Sequence, residues 1–336
     1  MWSYLTSADA LPVIFGGLMG LSILLYVILD GYDLGVGILM SRADPDEKDV
    51  MISSIGPFWD ANETWLVLGI GLLLVAFPLA HGIILSALYM PVAFMLAGLI
   101  LRGVAFDFRA KVHAAQKPGW DWAFVGGSLL ASLAQGYMLG FYIVGFESSL
   151  LNIVFSILCG ICLAAGYAFI GACWLIMKTE DDLQVKAARW ARFALWFTAI
   201  GLAAVSLATP LVSPRIFEKW FSLPNLFFLL PIPLLTAALI VGLELLLRKM
   251  PMQGDRFYWL PFIGAAGVFL LGFIGLAYSF YPFVILDRLT IWEAASAPES
   301  LRFILVGALI VLPCILGYTF YSYRVFWGKV RELTYY

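Results

Sequence analysis

Charged side chains are scarce in this sequence. Asp, Glu, Lys and Arg make up 12% of its 336 residues, whereas an ordinary soluble domain carries roughly a quarter. That shortage excludes water as the solvent for most of the surface. No basic tail is present and the formal net charge is −2, which removes nucleic acid from the partners to be considered. The N-terminus lacks the positive n-region and small-residue cleavage site of a secretory signal, so the first apolar span is expected to be retained. Cysteine is sparse too, at positions 159, 162, 173 and 314, all inside apolar runs where a thiol packs as a small hydrophobe. Cys159 and Cys162 have a CxxC spacing, but zinc or redox chemistry calls for accessible thiols in a loop, and core packing is the simpler reading.

What fills the chain instead is apolar: 62% of residues are hydrophobic and 16% aromatic. Runs of about twenty such residues recur along the whole length, each able to cross a hydrocarbon core of about 30 Å as a helix. The expected fold is all-α, a polytopic membrane protein built as a single transmembrane domain over 1–336. Nine spans are expected, near 11–40, 57–78, 82–106, 122–143, 151–177, 190–212, 225–247, 259–281 and 302–324. With the connections taken alternately, only Arg215, Lys219, Arg288 and Arg302 of the 20 Lys and Arg fall on one side. The basic side is expected in the cytoplasm, which puts the N-terminus outside and the C-terminus inside. An even span count would break this alternation.

The first span repeats glycine at helical spacing. Gly16 with Gly20 and Gly31 with Gly35 form small-xxx-small pairs that let a second helix approach closely. GYDLGVG follows no strand and lies in a membrane helix, so it is no dinucleotide fingerprint. The segment Ser41 to Ile55, with Asp44, Asp46, Glu47 and Asp49, reads as a solvated cytoplasmic connection rather than a metal site.

Five ionisable groups stand at one depth of this apolar chain. Asp60 and Glu63 lie one turn apart just after Pro57, a residue suited to the first turn of a helix. Carboxylates there are favoured by about 0.3–1 kcal/mol through the helix dipole, which would suffice as a purely local explanation. Asp30 and Asp33, again three apart, sit in the C-terminal half of a helix and have no such explanation. A charge within a membrane segment costs at least about 2.5–3.5 kcal/mol, so these groups are expected to face a partner or a hydrated path. Arg102, near the inner end of the third span, either snorkels to the surface or holds one aspartate ionised while another exchanges protons. Trp59 and Trp65 flank the Asp60–Glu63 pair, as boundary tryptophans or as a flat surface for a ring such as a quinone. Glu147 and Glu244 read as interface residues. The two histidines, His81 and His113, fall in connections on opposite sides, so bis-histidine haem ligation is excluded for this chain alone. Single axial ligation by His81 stays formally open.

These residues carry a resemblance. DGYDLGVGIL at 30–39, GPFWDANETWLVLG at 56–69, ALYMPVAF through LILRGVAFDFR at 87–109 and WDWAFVGGSL at 120–129 resemble subunit II of the cytochrome bd-type quinol oxidases, with LRGVAFDFR most similar to the cyanide-insensitive branch. The resemblance is specific over the first 140 residues; beyond them span count and topology agree. Ala61 departs from the family's WDGNE. The resemblance implies a haem-bearing subunit I as partner, holding haems b558, b595 and d and the site of quinol oxidation. It also implies an aerobic respiratory role in the bacterial cytoplasmic (inner) membrane, with room for a small accessory subunit. For this chain it implies proton entry from the cytoplasm at Asp60, functional importance of Asp33 and Arg102, and in some members a structural quinone, here ubiquinone, near Trp59. No cofactor is assigned to this chain itself. Two rivals come from the charges alone. One is a proton-coupled permease, which would favour broken spans with binding groups at the midplane. The other is a structural subunit whose polar pairs serve assembly.

Overall fold

The computed structural model describes residues 7–330. Among them, nine helices are long and apolar enough to cross a membrane, so this is a multi-pass membrane protein as the apolar runs predict. The elements are α1 (Ala10–Leu39), α2 (Pro45–Ile55), α3 (Trp59–Ala76), α4 (Pro78–Ala87), α5 (Tyr89–Lys111), α6 (Lys117–Ile143), α7 (Leu150–Lys178) and α8 (Asp181–Val212). After these come α9 (Pro214–Phe221), α10 (Asn225–Leu229), α11 (Pro231–Leu247), α12 (Leu260–Phe280), the short strands β1 (Phe283–Ile285) and β2 (Leu289–Thr290), α13 (Ile291–Ala294) and α14 (Pro298–Val325). The chain forms two compact units. One takes in the chain up to Asp30, Pro57–Ala87 and Phe280–Trp327; the other takes in Gly31–Gly56, Leu88–Ser279 and the segment from Gly328.

In the first unit, the early part of α1 packs with α3 at small residues: a Cβ on Gly69 would meet Ile23 and Ser22. The connection between α12 and α14 is not a bare loop. Its two strands pair antiparallel, and Ser296 then gives its N–H to the Ala76 carbonyl and its hydroxyl to that of Val75, at 2.8 and 2.7 Å. Those are end-of-helix carbonyls of α3 that have no partner within their own helix.

The second unit is held by helices in backbone-to-backbone approach. A Cβ on Gly98 would come within 2.8 Å of Ala131 N and Gly127 O, and one on Gly136 within 2.6 Å of Gly160. Gly35 lies so close to the Tyr167 carbonyl and Gly171 that no side chain fits. With no hydrophobic force between helices in lipid, such close packing supplies the association energy. Tyr32 stacks on Trp174 at 4.0 Å between centroids, with Phe262 edge-on to both. Cys159 and Cys173 are buried, Cys162 is half-buried and Cys314 exposed. Cys159 Sγ lies 3.1 Å from where a Gly140 Cβ would stand, a packing contact.

Several boundaries differ from the sequence expectation. The third span begins at Tyr89 rather than near 82, because Pro78–Ala87 forms a helix of its own. The sixth begins at Asp181 rather than 190, its first turns being polar. The seventh is interrupted between Leu229 and Pro231, where proline removes a backbone donor. The acidic connection folds as α2, with the Glu47 carboxylate accepting the Asp44 N–H at 2.9 Å. Glu147 is exposed. Glu244 is buried instead and its Oε1 accepts from Arg192 and Arg248 at 3.0 and 2.9 Å; the two arginines offset part of its desolvation.

Candidate functional site

The start of α3 follows from its sequence. Pro57 and Phe58 end the preceding turn, Phe58 offers no side-chain cap, and Asp60 stands in the first helical turn, where free N–H groups favour a carboxylate. Asp60 is exposed and Glu63 half-buried. Asn62 lies between them and is 1% exposed. Its Nδ2 donates to the Leu29 carbonyl at 3.2 Å, and its Oδ1 accepts from the Tyr323 hydroxyl at 3.3 Å. Phe58 packs on Tyr323 at 4.6 Å and edge-on to Phe326. One amide therefore ties the first turn of α3 to α1 at the residue before Asp30, and to α14. Asp30 has no exposed surface. Trp65 is buried and Trp59 half-buried.

Asp33 and Arg102 belong to the second unit, and both are fully buried. Asp33 is one helical turn beyond Asp30 on α1. Arg102 does not snorkel. It rides on the tightest part of the α5–α6 contact, where a Cβ on Gly127 would come within 2.8 Å of Arg102 N, and its guanidinium carbon lies 5.8 Å from the Phe124 ring centroid. Of the five predicted groups, Asp60 and Glu63 stand on the helical turn that Asn62 ties to Leu29, the residue before the buried Asp30, while Asp33 and Arg102 are buried in the other unit.

Sequence reasoning missed Asn62 and Tyr323. Neutral amides and phenols in an apolar helix carry little signal, although Asn62 stands inside the WDANET motif. It also missed a buried ion network at the end of the second unit. Arg109 is 4% exposed and bridges Asp121 through Nε and Asp49 through Nη1. Lys48 reaches Asp121 at 3.3 Å and Lys117 reaches Asp49 at 3.1 Å. Burial works against the Asp49 carboxylate, yet hydrogen bonds from Arg109 and Lys117 prevail and hold it below the usual aspartate range. At the other end of α2, Asp44 is held low chiefly by its hydrogen bond from Lys186.

The described residues contain no group of three or more His, Cys, Asp or Glu able to hold a metal. His81 lies half-buried on α4, and His113 is exposed at the turn after α5.

The family described as cytochrome bd terminal oxidase subunit II has a model that matches residues 11–326. The chain is 28% identical over 328 residues to cytochrome bd ubiquinol oxidase subunit 2 of Bacillus subtilis (strain 168), spanning 91% of this chain and 93% of that one. It is 26% identical over 370 residues to cytochrome bd-I ubiquinol oxidase subunit 2 of Escherichia coli (strain K12), spanning 96% of each. Among solved structures, that of the bd oxidase from Geobacillus thermodenitrificans matches with a TM-score of 0.76 at 17% identity, over 94% of this chain and 98% of that one. The last likeness concerns the fold alone.

Proposed function

Because the chain belongs to the cytochrome bd terminal oxidase subunit II family, we propose that it is the second subunit of a quinol:oxygen oxidoreductase and carries protons to it from the cytoplasm. Relatives named as subunit 2 of a ubiquinol oxidase support the activity and the need for a subunit I. Quinol oxidation and the reduction of oxygen to water are assigned to that partner, with its haems b558, b595 and d. The histidine-poor composition of this chain is consistent with that division. The lysine and arginine bias supports an N-terminus outside and a C-terminus inside the bacterial inner membrane.

The observation that carries the proton reading is the step in exposure at α3. Asp60 is exposed at the surface of this chain, while Asp30, next to the Leu29 carbonyl that Asn62 of the same turn binds, is fully buried. In this reading Asp60 collects the proton and Glu63 and Asp30 receive it in turn. Asp33 stands next along α1, and Arg102 is buried in the same unit as Asp33. The amide of Asn62 positions the turn and holds no proton. Consuming protons from one side while quinol releases them on the other separates charge, worth about 2.3 kcal/mol per charge at 100 mV, with no pump required. Trp59, half-buried beside the carboxylates, offers a flat surface for a structural ubiquinone, and a small accessory subunit would add to the same assembly.

Asp60→Asn in the purified complex is the test. Oxygen consumption should fall by at least about tenfold, equivalent to about 1.4 kcal/mol of barrier, with the KM for quinol unchanged. Unchanged turnover would remove Asp60 from the path.

A further inference from the structure

A second polar cluster lies away from the carboxylate path, where α8 meets α11. Glu244 accepts from Arg192 Nη2 at 3.0 Å and from Arg248 Nε at 2.9 Å, both through its Oε1. The arrangement is incomplete on both sides: the buried Glu244 Oε2 has no donor, and the buried Arg192 Nε has no acceptor. Native buried polar atoms are nearly always satisfied, so each such atom asks for an explanation. One carboxylate also faces an excess of cations. Arg42 lies 5.9 Å from the Phe193 ring centroid, and Arg189 precedes that phenylalanine by one turn. Asp44 and Glu47 are engaged by Lys186 at 2.6 and 2.8 Å.

Directly along the helices from this basic end, the surface turns apolar. Phe193 and Ile200 on α8 are 59% and 65% exposed, and Val241 and Leu245 on α11 are 60% and 56% exposed. Arg192 and Arg248 keep 43% and 58% of their side chains open. A basic cluster between two spans, with exposed apolar side chains on both helices beside it, suits an anionic amphiphile. Its headgroup must bring a phosphodiester to the guanidinium groups, which bind such anions in a fork geometry. It must also bring a hydroxyl to donate to Glu244 Oε2, and its acyl chain must lie along the strip.

We infer that the Arg192–Glu244–Arg248 cluster binds an anionic phospholipid with a hydroxyl-bearing headgroup, of which phosphatidylglycerol is the simplest. The half-open Arg192 turns toward the phosphate, its Nε gains an acceptor, and Glu244 selects the glycerol hydroxyl. Phosphatidylcholine brings a phosphodiester but no hydroxyl or N–H to donate to Glu244 Oε2, and its fixed positive charge is set beside the arginines.

Native mass spectrometry of the intact complex, with phosphatidylglycerol and phosphatidylcholine supplied at equal concentration, tests this directly. Phosphatidylglycerol should be retained roughly tenfold over phosphatidylcholine, a selectivity of about one charge-assisted contact. R192Q/R248Q should abolish the preference, and R42Q, at an exposed arginine outside the ion pairs, should reduce it. E244A should keep the preference over phosphatidylcholine but lose discrimination between phosphatidylglycerol and its methyl-capped phosphatidylmethanol analogue. Equal retention of the two lipids by the wild-type complex would overturn the proposal without recourse to any variant. So would displacement of phosphatidylglycerol by inorganic phosphate at millimolar concentration, which would mark a free-anion site.

Discussion

Arg109 has two carboxylates on one guanidinium, and with only 4% of its surface exposed it cannot turn to water if either is lost. Removing one member of a buried pair leaves the other charged and unsolvated, at a cost of about 3–5 kcal/mol. Arg109→Met should therefore lower the thermal stability of the purified protein by about that much, and adding Asp121→Asn should recover part of the loss. If Arg109→Met matches the wild type, the network is only decorative. Asp49 supplies a pH dependence whose sign is fixed. Its folded-state pKa lies below the ordinary 3.8, so its contribution is complete above that value and drains away as pH falls through the lower, folded one. Thermal unfolding should show an acid-side loss that Asp49→Asn flattens. At this scale the sequence was informative only where a charge interrupts an apolar run. Asp30, Asp33 and Arg102 stood out for that reason and are indeed buried. Asn62 and Tyr323 did not stand out, because they are 261 positions apart and neither is ionised near neutral pH. Arg109 lies in the last turn of α5, where a basic residue is ordinary, and nothing local marks Asp121 as its partner.

Among the elements, α1 depends most on a missing side chain. At Gly35 a Cβ would overlap the Tyr167 carbonyl, and backbone on both sides leaves no flexible group to yield. Overpacking of this kind costs about 1–3 kcal/mol even where side chains can give way, so Gly35→Val should cost at least that, while Gly17→Ala, which meets nothing within 4 Å, should be silent. Comparing detergent-solubilised yields and melting temperatures of the two checks it. The small-xxx-small spacing announced this contact in advance, though not its partner helix. Helix ends were harder to read. Hydropathy locates the apolar middle of a span, but α8 extends nine residues earlier through Asp181, Asp182 and Lys186, outside the part that an apolar window detects. The acidic segment after α1 looked like a solvated loop because its carboxylates were counted as solvent-facing. Asp44 and Asp49 are exposed, as that reading expects, but together with Glu47 they also pair with Lys186, Arg109 and Lys117.

For the molecule as a whole, the apolar composition already dictates a multi-pass helical chain, and nine spans are what the described residues contain. Membership of the subunit II family extends over nearly the full length, further than the motifs of the first 140 residues. Composition alone left a permease open, and it is the match over 11–326 that assigns the chain to an oxidase assembly. In the proposed assembly the other end of the proton path lies on subunit I. The account stands on protons entering beside Asp60 and leaving through this chain. The most direct measurement is side-specific proton uptake in proteoliposomes of the complex during oxygen reduction, read with a pH indicator trapped on the Asp60 side. Wild-type complex should take up protons from that side in step with oxygen consumed, and Asp60→Asn should slow the uptake by at least about tenfold while the haem spectrum stays unchanged. Uptake that proceeds at the wild-type rate in the variant, or from the opposite side in the wild type, would contradict it.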